Sequence, residues 1–320
     1  MDPSQGGLSA EYSSRQALFE RTISEAHERL NPYVELVESR TPDHNFGRRV
    51  VAHMLELHSE ALELGQDEGL SVGEIQMLAM GLALHDVGRV LCEAERPGDR
   101  SYQHGHGGIG AKFLDSEGLL DNLAPEDKQV LLDIVTQHST KDVTLTPGTT
   151  AYKICYILRD LDKEALLSNN KEFLSPAGAV RQMSMWMLSD PANEALEKLE
   201  PEQRAELYDY IQPILAGQQV PEDVASQDPL TQEIVAHLTR EIPTDYQEKV
   251  AAGKLLTKEE MISGYPAYMI AHVAMCSDIQ SQSVKNKIHK EDTLAARVEF
   301  LELTANYASD IVSSVTDTLK

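Results

Sequence analysis

The sequence has few cysteines, and their arrangement excludes a disulfide framework. The 320 residues include three, Cys92, Cys155 and Cys276, an odd number without the close spacing of a metal-binding cysteine motif. We therefore predict reduced thiols in a cytoplasmic protein. The segment 1–10 is polar and contains glycine, so it does not resemble a secretory signal, and we expect it to be disordered.

Positive charge is also scarce. The chain has 28 lysines and arginines against 52 aspartates and glutamates, which gives a formal net charge of −24. Such a field repels phosphates of nucleic acids and anionic membrane surfaces, so we expect no large nucleic-acid surface and no membrane as a partner. No apolar run approaches the length that crosses a bilayer. A small anionic substrate, held by a few local arginines, remains compatible with this charge.

Sustained strand alternation and internal repeats are lacking as well. Apolar residues recur instead with helical spacing, which predicts an all-α fold. We predict an N-terminal helical extension over 1–40, a central helical domain over 41–168 and a further helical region of unknown role over 169–320. The pattern predicts helices over 14–30 (ended by Asn31-Pro32), over 43–64, from Ser71 to Asp86, from about 108, from Pro125 to His138, over 149–167 and over 292–318, with a polar loop over 95–108.

The most informative stretch closes one of these helices. Ser71 and Glu74 form a capping box that starts it, and apolar residues then recur with helical spacing up to Leu84. His85 and Asp86 therefore stand at the wall of a core, where an unpaired imidazole and carboxylate are costly. A hydrogen-bonded helix end is the ordinary explanation. A divalent metal is the alternative, because neutral imidazole nitrogen and carboxylate oxygen are both good ligands.

Further ligands must lie level with this pair. The preceding helix should pack antiparallel to the helix of His85, because the turn between them is short. His85 then lies roughly 21 Å above that turn, and His53 lies roughly 18 Å above it. His58 lies roughly 10 Å above the turn and His44 roughly 31 Å. His53 is therefore the level candidate, although a core histidine bonded to a carbonyl is its ordinary explanation, and His44 stays an alternate if its helix breaks near Gly47.

Three later segments offer more ligands. His106 precedes a glycine-rich stretch whose backbone can turn the side chain inward, whereas we expect His104 in solvent and keep it as an alternate. His138 ends an apolar helix, where the helix dipole favours histidine in any case. On the next helix, Asp162 lies about 80° from the centre of the apolar stripe and Asp160 about 120°. We favour Asp162 and keep Asp160 as an alternate, although solvated acids would fit both positions.

These residues, in order, resemble the HD-domain superfamily of metal-dependent phosphohydrolases. The family pattern is a histidine on one helix, a His-Asp pair ending the next helix and an aspartate on a later helix. That pattern is matched by His53, His85-Asp86 and Asp162. Two further histidines are similar to the extra ligands of binuclear members, namely His106 and His138.

The resemblance covers about residues 43–168 and has two departures. Glu56 stands where an arginine is frequent in the family. Glu164 stands where an apolar residue is usual, which leaves Asp162 open against Asp160. The region after Ser168 matches nothing that the resemblance covers.

The resemblance implies an HD-type helical bundle and a hydrolase of phosphate monoesters or diesters, with nucleotides among the candidate substrates. It implies one or two divalent ions, with Fe, Mn, Zn, Ni and Mg as candidates. The implied metal ligands are His53, His85, Asp86, His106, His138 and Asp162. The implied catalytic residues are Asp86, His106 and His138, and Asp86 would bridge the two ions. The candidate phosphate-binding residues are Arg49, Arg89 and Lys141.

Two functions of other classes stay open. Some members of the superfamily activate oxygen at a di-iron pair with nearly the same ligands, and others use the fold as a non-catalytic sensor or signalling module. Gly264-Tyr265-Pro266 matches a signature of cyclic-dinucleotide hydrolases, but it lies about 100 residues past Asp162, so we interpret the match as chance. The expected partner is a small phosphorylated metabolite or nucleotide, and the exact substrate and homo-oligomer formation stay open.

Overall fold

Helices account for the regular secondary structure in the described part of this chain. The structure is a computed structural model and describes residues 3–40, 45–140, 142–168, 173–218 and 220–304. No strand occurs among the residues so described, which confirms the all-α prediction. By its internal contacts the chain divides into two units, Met1–Asp162 with Gln280–Ser283, and Lys163–Ile279 with Val284–Lys320.

The first unit contains the helices that carry the His-Asp pair and its neighbours. Helix α2 (Phe46–Asp67) packs against α3 (Val72–Leu84), α1 (Pro3–Arg40) packs on α2, α3 and α4 (Val87–Glu95), and α6 (His106–Ser116) packs on both α4 and α7 (Pro125–Gln137). Its core consists of leucines, methionines and small residues that face inward from these helices. The helices are α1 (Pro3–Arg40), α2 (Phe46–Asp67), α3 (Val72–Leu84), α4 (Val87–Glu95), α5 (Arg100–Gln103), α6 (His106–Ser116), α7 (Pro125–Gln137) and α8 (Thr150–Ser168), whose last turns belong to the second unit.

The second unit is built around one fully buried helix, α15 (Tyr265–Ala274). Four helices pack on it, namely α12 (Pro229–Leu238), α13 (Thr244–Ala251), α14 (Lys258–Met261) and α17 (Ala295–Thr304). The Gly-Tyr-Pro match begins this helix, and Tyr265 is buried and donates a hydrogen bond to the carbonyl of Phe173. Single 3-10 turns lie at Val224–Ser226 and Met275–Asp278. The remaining helices are α9 (Pro176–Trp186), α10 (Asp190–Glu197), α11 (Pro201–Leu215), α12 (Pro229–Leu238), α13 (Thr244–Ala251), α14 (Lys258–Met261), α16 (Gln282–Lys290, which begins in the first unit) and α17 (Ala295–Thr304).

The first helix is longer than its sequence predicts. The α1 helix begins at Pro3, so the expectation of disorder over residues 3–10 is wrong, and it continues past Pro32 to Arg40. Extending a formed helix requires no new nucleus, and a proline fits the first turn. An interior proline costs about 3 kcal/mol. Burial of Leu30, Val34 and Val37 on either side of Pro32 offsets that cost.

Other boundaries differ by a few residues. The second helix begins at Phe46 and not near 43, because Asn45 has a left-handed backbone (φ 43°). The helix predicted to end at Asp86 ends at Leu84. The predicted loop over 95–108 contains α5 and the first turn of α6. The predicted terminal helix is present as Ala295–Thr304, and residues 305–320 lie outside the described part.

The capping box that starts α3 is confirmed. The Ser71 hydroxyl accepts from the Glu74 backbone N–H at 3.4 Å, and the Glu74 carboxylate accepts from the Ser71 N–H at 2.8 Å. This reciprocal pair satisfies two donors at the helix N-terminus and fixes where α3 begins. The number of turns between Ser71 and the end of α3 then sets the height at which the His-Asp pair stands.

One helical stretch, Val72–Glu95, is long and apolar enough to cross a membrane by length and composition, with a mean hydropathy of 1.2 in its best window. The expectation that no run approaches that length is therefore wrong. Within the fold, 78% of its most apolar part is buried, and buried core helices share this length and composition. The stretch spans α3 and α4, which are separated by His85 and Asp86.

Candidate metal centre

His85 and Asp86 form the two-residue junction between α3 and α4. His85 is the C-cap of α3, and Asp86 (φ −102°, ψ 9°) is the N-cap of α4. The last residues of α3 are fully buried, so the chain enters the junction inside the core. As a result His85 is 0% exposed and Asp86 is 2% exposed.

Two glycines let the neighbouring helices approach this junction. A Cβ on Gly88 of α4 would lie 1.9 Å from the backbone oxygen of His106 on α6. A Cβ on Gly107 would lie 2.7 Å from the backbone oxygen of Val135 on α7. Any side chain at either position would force these helices apart. The close crossings bring His106 and His138 to Asp86.

Asp86, His106 and His138 form one compact group, which we call the second ligand group. The Nε2 atoms of the two histidines lie 2.9 Å apart. Asp86 Oδ1 lies 3.1 Å from His106 Nε2 and 3.3 Å from His138 Nε2. Ligands about 2.1 Å from one ion lie roughly 3.0 Å apart at right angles and roughly 3.4 Å apart at the tetrahedral angle. The three separations therefore fit three ligands of one ion.

His53, His85 and Asp86 form the first ligand group, in which one ligand atom of each lies within 4.8 Å of the others. The rings of His53 and His85 have centroids 5.5 Å apart. Asp162 of α8 adjoins this group, with Oδ1 3.0 Å from His53 Nε2 and 3.8 Å from His85 Nε2. Both groups contain Asp86, whose Oδ2 lies 3.7 Å from His85 Nε2. One carboxylate is thus shared between two sets of histidines.

The imidazoles of His85, His106 and His138 are oriented in the same way. The Nδ1–H of each donates to the backbone oxygen three residues earlier, at 2.8, 2.7 and 2.7 Å. In a neutral imidazole this bond leaves Nε2 with a lone pair, and here each Nε2 faces the carboxylates. Among the described residues, His85 Nε2 is buried without any hydrogen-bond partner. An unsatisfied buried polar atom costs about 1–3 kcal/mol, which a bound cation would relieve.

Electrostatics keep both acids charged. Burial by itself would raise the pKa of Asp86, but the Arg89 guanidinium, His85 and the hydrogen bonds from His106 and His138 hold that pKa well below its ordinary value. Burial likewise opposes ionisation of Asp162, and the hydrogen bond with His53 and the nearby His85 imidazole hold its pKa well below the ordinary value. The buried His and Asp groups could therefore hold a metal ion.

Two of the three candidate phosphate-binding residues lie beside this cluster. Arg89 is one turn after Asp86, its Nε donates to Asp86 at 2.9 Å, and its side chain is 42% exposed. Arg49 is one turn before His53 on α2, and burial lowers its pKa while Glu38 opposes that shift. Lys141 and the alternate ligand His44 lie outside the described residues.

The two other alternates lie away from the cluster. His104 is exposed between α5 and α6 and belongs to neither ligand group. Asp160 is 0% exposed and accepts from the backbone N–H groups of Gln280 and Ser281, both at 2.7 Å. We expected Asp160 to point farther from the core than Asp162, and this is wrong, because Asp160 is the more buried of the two. Gln280 and Ser281, which bond to Asp160, lie far from it in the sequence. Helical periodicity within α8 cannot predict such a contact.

Two residues that position the site were missed. The backbone oxygen of Gln103 accepts from His106 Nδ1, and its side-chain amide donates to the backbone oxygen of Arg89 at 3.3 Å. Nothing in the sequence distinguishes this glutamine from an ordinary loop residue. Arg159 donates to the backbone at the end of α7, next to His138. Its spacing of three residues from Asp162 is a signal that could have been used.

Comparisons with profiles of known protein families, with curated proteins and with solved structures returned no match. The functional argument therefore depends on the residues of the cluster and on their geometry.

Proposed function

We propose that this chain is an HD-type, metal-dependent phosphohydrolase that cleaves phosphate monoesters or diesters. The observation that carries this proposal is the pair of three-residue ligand groups that share Asp86 inside the core. The unpartnered Nε2 of His85 supports it further, because that atom is aimed at the carboxylates and lacks a protein donor among the described residues. Charged acids and inward lone pairs are what a divalent cation requires.

The two ligand groups would divide the metal binding between them. His53, His85, Asp86 and Asp162 would hold one ion, and Asp86, His106 and His138 would hold a second. Four imidazoles and two carboxylates make a nitrogen-rich donor set, which favours Fe, Mn, Zn or Ni over Mg, since Mg²⁺ prefers oxygen ligands.

Bound metal would supply positive charge for a phosphoryl oxygen and activate water near neutral pH. Asp86 would join the two metal positions, and His106 and His138 would hold their side of the site through imidazoles fixed by backbone carbonyls. The Arg89 side chain is 42% exposed beside Asp86, and its terminal N–H groups could orient a phosphate. Arg49 would add charge next to His53. A local positive surface of this kind is needed to attract an anionic substrate to a chain of net charge −24.

The test compares His85→Ala and Asp86→Ala with the wild type and with His104→Ala, which removes an exposed histidine outside the cluster. Bound Fe, Mn, Zn and Ni are measured in the purified proteins, and hydrolysis is assayed with p-nitrophenyl phosphate and bis-p-nitrophenyl phosphate. We expect wild type and His104→Ala to hold metal and to hydrolyse one of these esters. His85→Ala and Asp86→Ala should lose both properties while remaining helical.

The outcomes separate the proposal from its alternatives. Full metal retention in both cluster variants would refute the metal centre. Metal-dependent oxygen consumption without ester hydrolysis would favour the di-iron oxygenase. A wild type that binds neither metal nor phosphate esters would favour the sensor.

A further inference from the structure

The guanidinium of Arg159 on α8 meets the C-terminal end of α7. Its Nη1 lies 2.9 Å from the backbone oxygen of Gln137, 3.1 Å from that of His138 and 2.6 Å from that of Thr140. The final carbonyls of a helix have no partner within the helix and carry the negative end of its dipole. A guanidinium at this place satisfies them and opposes their partial charge.

His138 is the residue whose position depends on this end of α7. It is the C-cap, so it stands where the helix would otherwise fray. Its Nδ1 donates to Val135 one turn back at 2.7 Å, and its Nε2 lies 3.3 Å from Asp86 Oδ1. Both distances depend on an ordered last turn. A looser last turn would leave Asp86 and His106 in place and would displace His138.

Arg159 is also tied to the other side of the cluster through its own helix. It precedes Asp162 by three residues, and side chains three apart share one face of a helix. Arg159 therefore bonds to the backbone of His138, which belongs to the second ligand group. Asp162, on the same face of α8, adjoins the first ligand group.

We propose that Arg159 is a positioning residue that fixes the imidazole of His138 against Asp86 and so sets the metal affinity of the second ligand group. Arg159 does this without contacting an ion. The inference rests on the proposed metal centre.

The test uses the full chain, stripped of metal and titrated with Mn²⁺ by calorimetry. Arg159→Met removes the donors, and Arg159→Lys keeps a charge and part of the donor capacity. Lys163→Met is the matched control, because Lys163 lies one turn further along α8 and pairs with Asp278 at 2.7 Å. It removes the same charge from the same helix.

We expect the wild type and Lys163→Met to bind two equivalents of Mn²⁺. In Arg159→Met, one equivalent should bind within about threefold of wild type and the other about 10–100-fold more weakly, the usual effect of losing a residue that orients a metal ligand. Arg159→Lys should restore part of the weakened affinity. If Arg159 merely stabilised the fold, its loss would lower the melting temperature without making one Mn²⁺ site weaker than the other.

Two results would overturn the inference in different ways. If wild type binds two equivalents and both affinities of Arg159→Met stay within about threefold, then Arg159 does not position His138 and the metal centre stands. If the wild type binds no Mn²⁺, or if His85→Ala binds Mn²⁺ as the wild type does, then the proposed centre and this inference fail together. Should Arg159→Met not fold, the folded Arg159→Lys decides, and unchanged affinities at both sites in that variant refute the inference.

Discussion

Substituting Gly88 by alanine tests the crossing of α4 and α6 on which the second ligand group depends. The new Cβ would lie 1.9 Å from the backbone oxygen of His106 and 2.8 Å from the backbone nitrogen of Gly110. Ordinary contact begins at 3.4 Å, so the helices must separate by about 1.5 Å. Backbone atoms cannot rotate out of the way as a side chain can. We therefore place the cost at the upper end of the usual 1–3 kcal/mol for overpacking, at about 3 kcal/mol.

The same displacement acts on the cluster. Moving α6 by about 1.5 Å would take His106 Nε2 out of the 3.1 Å separation that it now has from Asp86 Oδ1. Under the proposed function, Gly88→Ala should lose the metal equivalent of the second ligand group and retain that of the first. A loss of about 3 kcal/mol would lower the melting temperature by about 6–12 °C for a unit of this size.

Gly108→Ala is the matched control, because a Cβ at Gly108 of α6 meets nothing within 4 Å. Alanine in a helix is favoured over glycine by about 0.5–1 kcal/mol, so this variant should be as stable as wild type or slightly more so. Thermal unfolding followed by circular dichroism gives the stability, and elemental analysis gives the metal content. A Gly88→Ala protein that melts with wild type and keeps both equivalents would refute the reasoning about the crossing.

Two further predictions concern stability away from the cluster. His272 is buried between Phe173 and Tyr268, and burial, with Arg297 adding to it, holds its pKa well below the ordinary value. The unfolded chain takes up this proton near pH 6.5 and the folded chain does not, so the free energy of unfolding should fall as pH drops below about 6.5, by at most about 1.4 kcal/mol per pH unit. His272→Phe should flatten that dependence between pH 7 and pH 5 in urea unfolding, and an unchanged slope would contradict the assignment. Pro32→Ala should raise the free energy of unfolding by about 1–3 kcal/mol, because Pro32 is exposed inside α1, and a decrease would show that the proline has a role of its own.

What the sequence predicted well is local in origin. The Ser71–Glu74 capping box fixes the start of α3 through contacts within four residues, and helical periodicity identifies its apolar course. With an antiparallel neighbour joined by a short turn, counting residues along both helices was sufficient to select His53 as level with His85, and their rings lie 5.5 Å apart. His58, placed lower by the same count, donates instead to the Ala79 carbonyl of α3.

What the sequence did not predict depends on contacts between distant residues. Gly88 looks like a helix breaker after a His-Asp pair, yet its role is to admit the backbone of His106. Asp160 looks solvated by periodicity, but Gln280 and Ser281, more than a hundred residues away, donate to it. Pro32 looks like a helix end, and tertiary burial of α1 outweighs its local cost. In each case the decisive partner comes from another element.

The ordinary explanation of each histidine is a hydrogen bond at a helix end, and that explanation accounts for only half of each imidazole. The bonds from Nδ1 of His85, His106 and His138 to their carbonyls use one N–H of each ring. They would form equally well with Nε2 facing solvent or apolar side chains. Instead the Nε2 atoms of His106 and His138 lie 3.1 and 3.3 Å from Asp86 Oδ1 and 2.9 Å from each other.

Converging lone pairs and carboxylates repel one another unless positive charge lies among them. Asp86 and Asp162 contribute two negative charges to the cluster, and Arg89 supplies one positive charge. Burial would lower the pKa of His85, but Asp86 and Asp162 raise it and so favour its charged form. The Asp86 side chain is only 3% exposed, and a charge so buried is costly unless it is compensated. Helix capping accounts for the Nδ1 bonds alone, and the arrangement of the Nε2 atoms and carboxylates is one that could hold a metal ion.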